Sequence, residues 1–144
     1  MPVSAITGFV AYPSAPEQIG DSIRTGCKRL LTLKANHALT PWESSDIAGY
    51  CLTDPILESI KVSDLLVADV TRLNFNVTYE IGYAIGRQKR VFLICNKSLI
   101  RDEALIREVG IFDTLGVEFY SNSEDFAKLL ANIGSLAPIP LPNS

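Results

Sequence analysis

The chain has 144 residues, 47% of them hydrophobic and 20% charged, a composition that fits one folded domain and excludes a disordered or fibrous polypeptide. A formal net charge of -3 leaves no broad basic surface for a nucleic-acid backbone, although local backbone dipoles can still hold a small anionic ligand. The longest strongly apolar run, residues 91–95, is far short of the roughly 20 residues that span a bilayer, and no basic stretch followed by an apolar one opens the chain, so neither a membrane nor export is expected.

Residues 5–11 mix β-branched and apolar side chains and predict a first strand, stopped by Tyr12-Pro13-Ser14-Ala15-Pro16, which continues neither a ladder nor a helix. From Glu17 to Leu33, Ile19, Ile23, Cys27, Leu30 and Leu31 recur at helical spacing and predict an amphipathic helix. Residues 38–42 predict a second strand. Asp54-Pro55 supplies an N-cap and a proline at the first helical position, and Ile56, Leu57 and Ile60 carry a second helix to Val62. Residues 65–70 form a continuous apolar run of the kind buried on both faces of a sheet, and residues 91–95 repeat it. Between them lie a loop at 71–76 and a helix at 77–88, a crossover that joins parallel neighbours. A helix near 102–108, a strand at 117–120 and a helix at 123–133 complete the pattern.

Strands alternating with helices predict an α/β, doubly wound, mainly parallel sheet of about five strands with helices on both faces. Residues 1–136 read as this domain, and 137–144 as a proline-spaced tail or linker to a further domain. Cys27, Cys51 and Cys95 show no metal-ligand or disulfide spacing, which suggests reduced thiols in a cytoplasmic protein with no metal site.

Ligands of such sheets sit beyond the carboxyl ends of the strands, which directs attention to the loops at 12–16, 42–46, 70–76 and 96–101, with Tyr12, Ser14, Trp42, Asn74 and Asn76 and the strand end at Asp69 as candidate contacts. The segment 63–86 is the most unusual of these. It places Asp69 at a strand end and Glu80 about one turn into a helix capped by Asn76, where free N–H groups would keep a carboxylate ionised. Gly82 and Gly86 share a bare face of that helix, which suggests a close packing or ligand contact. Plainer readings stand beside these. Glu80 also reads as a surface acid favoured by the helix dipole, Asn74 and Asn76 as turn and cap residues, Tyr12 and Trp42 as core or rim aromatics, and His37 as a surface residue.

Ala68-Asp69-Val70-Thr71 followed by Asn74-Phe75-Asn76-Val77-Thr78-Tyr79-Glu80-Ile81-Gly82-Tyr83-Ala84 resembles the signature of nucleoside 2-deoxyribosyltransferase-like domains, which group with the TIR-like NAD-cleaving domains. The resemblance covers residues 54–94, extends loosely to the first strand and Tyr12-Pro13-Ser14, and fades after Asn96. It implies a flavodoxin-like fold, with Glu80 the nucleophile or stabilising carboxylate at C1 of a ribose and Asp69 helping to hold the sugar or base. Asn74-Phe75-Asn76 stands where deoxyribosyltransferases carry an Asp-x-Gly-type loop, which moves the resemblance toward TIR-like domains of bacterial defence effectors.

The chemistry can also be argued from the residues. Cleavage of an N-glycosidic bond passes through an oxocarbenium-like state that a carboxylate stabilises or captures. A neutral base leaves only with a proton, whereas nicotinamide leaves NAD neutral from a cationic bond. Because no histidine acid stands out, NAD is the favoured substrate, with no cofactor required. The expectation is therefore an N-glycosidase or ribosyl-transferring enzyme acting on a small nucleoside or nucleotide, either homo-oligomeric or fused to a partner domain. The alternatives are a non-catalytic nucleotide sensor and a self-assembling signalling module.

Overall fold

A computed structural model describes residues 6–42, 54–72, 75–100 and 116–132. In chain order these form β1 (Ile6–Ala11), α1 (Glu17–Leu33), β2 (His37–Pro41), α2 (Asp54–Val62), β3 (Leu65–Asp69), α3 (Phe75–Gly86), β4 (Arg90–Asn96), β5 (Val117–Tyr120) and α4 (Ser123–Ala131). The sheet order is β2-β1-β3-β4-β5 and every pairing is parallel. This is the flavodoxin-like order of a doubly wound fold, whose direction reverses between β1 and β3.

Burial explains how legible each strand was. All five residues of the central β3 are buried, so it reads as an unbroken apolar run. The edge strand β2 alternates buried and exposed positions, and its signal is correspondingly weak. That alternation corrects the expectation for His37. It shares the inward parity of Leu39 and Pro41 and is buried, with Nδ1 3.2 Å from Asn36 Oδ1. Burial, and secondarily the charge of Lys34, holds its pKa below the ordinary value.

The sheet separates two cores. On one face Val10, Leu65, Val67 and Ile94 meet Ile19, Ile23, Cys27 and Leu30 of α1 and Phe126 and Leu130 of α4. A Cβ added at Gly26 would lie 2.3 Å from Phe126 Cδ1, so the absence of a side chain there lets α4 close on α1. Arg29 and Glu124 bridge the same pair of helices, with 3.0 Å between Nε and Oε2. Leu31, expected on the α1 stripe, is exposed instead, because the buried arc is narrow and centred on Leu30. On the other face Phe9, Leu66, Ala68 and Leu93 meet Ile60 of α2 and Val77, Ile81 and Ala84 of α3.

Asn122 caps α4 by accepting from the Asp125 backbone N–H at 2.8 Å. Cys27 and Cys95 are buried free thiols. No helix among the described residues is long and apolar enough to cross a membrane. The helix expected at 102–108, the tail at 137–144, Cys51 and Asn74 lie outside the described residues.

Candidate functional site

Three strands deliver polar side chains to one corner at their carboxyl ends. Asp69 closes β3 and is fully buried. Its Oδ1 accepts from the Thr71 backbone N–H at 2.8 Å, and its Oδ2 accepts from the Tyr120 hydroxyl at the end of β5. The Thr71 hydroxyl in turn accepts from the Asn96 backbone N–H at 2.8 Å, and Asn96 Oδ1 accepts from Ser98 N–H at 3.0 Å. Burial raises the pKa of Asp69, and the bonds from Thr71 and Tyr120 oppose that shift. Tyr120 is raised too, first by burial and then by the neighbouring carboxylate, so its hydroxyl remains a donor. This network ties the ends of β3, β4 and β5 together.

Glu80 is built differently. Helix α3 begins at Phe75, so Asn76 is an exposed residue of its first turn and not its cap. Glu80 consequently falls in the second turn, beyond the free N–H groups expected to hold it ionised. It lies three residues after Val77 and four before Ala84, on the edge of the stripe packed against the sheet, and is 5% exposed. The reading of Glu80 as a surface acid is thereby excluded. Its Oε2 is enclosed and has no hydrogen-bond partner among the described residues. Burial alone pushes its pKa up to about 7, with no cation opposing it.

Strand parity places the two acids on opposite faces. Leu65, Val67 and Asp69 point toward the α1 and α4 layer, where Tyr120 also packs, whereas Glu80 belongs to the α2 and α3 layer. The sequence set them in one corner, and the fold divides that corner between a saturated carboxyl group and an unsatisfied one.

Tyr12 and Trp42 follow β1 and β2 and meet at the same edge of the sheet, their ring centroids 5.5 Å apart and tilted by 47°. Tyr12 is buried, and its hydroxyl accepts from Arg24 Nη1 at 3.4 Å. Its pKa is raised to about 12 by burial, against the opposing charge of Arg24. Trp42 packs against both cores, as only a side chain at the margin of the sheet can. Ser14 is exposed in the loop after β1. Among the described residues, a Cβ added at Gly82 or Gly86 would meet nothing within 4 Å, so no close packing there accounts for these glycines.

Arg72, Thr71, Asn96 and Tyr120 were not singled out from the sequence. Thr71 follows Asp69 by two residues and Asn96 closes β4, so both were readable by position. Tyr120 closes the last strand, and its reach across β4 to Asp69 has no local signal. Arg72 follows the strand end by three residues, is half-buried, and has Nε and Nη1 enclosed without a partner among the described residues.

No protein-family model and no curated protein sequence matches the chain. Solved structures do. A CMP N-glycosidase, BcmB, from Clostridium botulinum is 16% identical, with 86% of this chain and 97% of that chain covered and a TM-score of 0.54. A conserved protein from Enterococcus faecalis is 15% identical over 88% of this chain and 98% of its own, with a TM-score of 0.58. A molybdenum cofactor binding protein from Rippkaea orientalis is 15% identical over 92% of this chain and 99% of its own, with a TM-score of 0.54. At these identities the likeness is one of fold.

Proposed function

We propose that the protein cleaves the N-glycosidic bond of a nucleoside or nucleotide, with Glu80 as the carboxylate that meets the ribose. The observation that carries this reading is the enclosed Oε2 of Glu80, which has no partner among the described residues. A buried carboxyl group without donors is costly to ionise, and it keeps its full acceptor capacity for a cationic centre. The glycosidase among the structures of like fold is in keeping with this chemistry.

In the reaction the bond between C1′ and the base nitrogen breaks and its electron pair leaves with the base. C1′ becomes oxocarbenium-like and is stabilised or captured by the ionised Glu80 oxygen. Water then adds at C1′ and loses a proton, and where Glu80 had captured C1′ that bond breaks with its electron pair returning to the carboxylate. A pyrimidine or purine leaves after protonation from solvent, whereas nicotinamide leaves NAD already neutral, so NAD belongs to the same substrate class. Trp42, half-buried and backed by the ring of Tyr12, offers a face for a planar base at the same edge of the sheet.

The test is product chromatography after incubation with a panel of nucleosides, nucleotides and NAD. Glu80→Gln is expected to lower kcat by about 1000-fold or more while the fold is retained. For the wild type, kcat/KM should rise with pH through about 7, where Glu80 ionises. Turnover of the glutamine variant at the wild-type rate would end the proposal.

A further inference from the structure

Arg72 lies in the loop that follows β3, at the carboxyl end of the sheet and on one side of the β1/β3 switch point. Two of its guanidinium nitrogens, Nε and Nη1, are shut off from water with no acceptor among the described residues. The acids near it in sequence do not neutralise it. Both Asp69 oxygens are occupied by Thr71 and Tyr120, and neither the Asp69 nor the Glu80 carboxyl is held down by a cation. A guanidinium is always charged, and burying its donors without an acceptor is unfavourable unless a ligand supplies one. Its planar fork of N–H groups matches the tetrahedral oxygens of a phosphate.

The loop after β3 therefore carries a cation, and α3 an acid, each with enclosed polar atoms that have no partner among the described residues. One ligand class satisfies both. A nucleoside 5′-phosphate carries an anion at one end of the ribose and, during bond cleavage, a developing cation at C1′. Building on the glycosidase reading, we propose that Arg72 binds the 5′-phosphate of the substrate, so that nucleoside 5′-phosphates, and not free nucleosides, are the compounds turned over. A mononucleotide and the pyrophosphate of NAD share this chemistry.

Ribose 5-phosphate has no base to lose, so its binding can be measured by calorimetry on the wild-type protein without turnover. It should bind at least ten times more tightly than ribose. Arg72→Ala should remove that preference and Arg72→Lys should keep part of it, with circular dichroism showing both variants folded. Equal binding of ribose and ribose 5-phosphate, or an Arg72→Ala variant that binds as the wild type does, would overturn the proposal.

A kinetic comparison then separates the ligand sources. With nucleoside 5′-monophosphates, the matching nucleosides and NAD as substrates, Arg72→Ala should raise KM at least tenfold for phosphorylated compounds only. Loss confined to monophosphates, or to NAD, identifies which compound supplies the phosphate and supports the assignment; free nucleosides turned over as well as their phosphates would refute it. Arg72-dependent binding of ribose 5-phosphate with no cleavage of any compound would leave the anion site standing and remove the glycosidase reading. Cleavage indifferent to Arg72 would do the reverse.

Discussion

Asp69 and Glu80 are both buried carboxyl groups raised by desolvation, yet the protein treats them in opposite ways. Asp69 is saturated, with Thr71 on one oxygen and Tyr120 on the other, and its bonds cross from β3 to β5. Glu80 is buried at the edge of an apolar helix face and keeps an oxygen without a donor among the described residues. The first arrangement returns the cost of burial as order at the strand ends. The second leaves that cost unrecovered within the protein, as expected of a group whose partner is a ligand. The helical layers differ in the same sense. Gly26 lets α1 and α4 close on each other, whereas Gly82 and Gly86 of α3 face open space among the described residues.

The contrast breaks most sharply at Glu80, where the activity loss in Glu80→Gln should be the largest single effect. Its stability should move the other way. Glu80 ionises at about 7 in the folded protein against an ordinary value of 4.5. Between those values the folded protein keeps a proton that the unfolded chain has released, so stability falls as pH rises through that window and levels off above it, the whole of Glu80's contribution then being lost. The shift corresponds to about 3 kcal/mol. Glutamine cannot ionise, so Glu80→Gln should match the wild type near pH 4 and exceed it by up to about 3 kcal/mol at pH 8. Thermal unfolding at the two pH values measures this, and a variant less stable than wild type at pH 8 would show that Glu80 has a hidden stabilising partner.

Tyr120→Phe probes the saturated acid. It removes the donor to Asp69 Oδ2 and leaves that oxygen buried, which should cost about 1–3 kcal/mol in urea-induced unfolding. No loss would mean that Asp69 finds another donor and that the two acids differ less than their bonds suggest. The smallest effect belongs to the open helix. With nothing within 4 Å of an added Cβ, Gly82→Ala should stabilise α3 by about 0.5–1 kcal/mol through helix propensity alone. A destabilised Gly82→Ala protein would indicate that this face is covered in solution.

Much of the fold was legible because its signals are local. The bounds of α1 and the continuous runs of β3 and β4 follow from periodicity. The strand end at Asp69 and the helix bearing Glu80 were legible from the strand-loop-helix pattern. Asn76 misled, because an asparagine ahead of an apolar stripe looks like a cap whether the helix starts there or earlier. His37 misled because a lone histidine carries no sign of the face to which its strand will turn it.

The sequence by itself determined the order of the elements, the parallel crossover and the presence of two acids and an arginine around one strand end. Tertiary structure alone decided which acid is satisfied, that the sheet stands between the two, and that Arg72 buries donors without an acceptor among the described residues. The physical reason is that periodicity is written over neighbouring residues. Solvation is set by whatever distant segments come to cover a side chain: Tyr120, 51 residues from Asp69, answers one carboxyl group, and nothing among the described residues answers Glu80 Oε2.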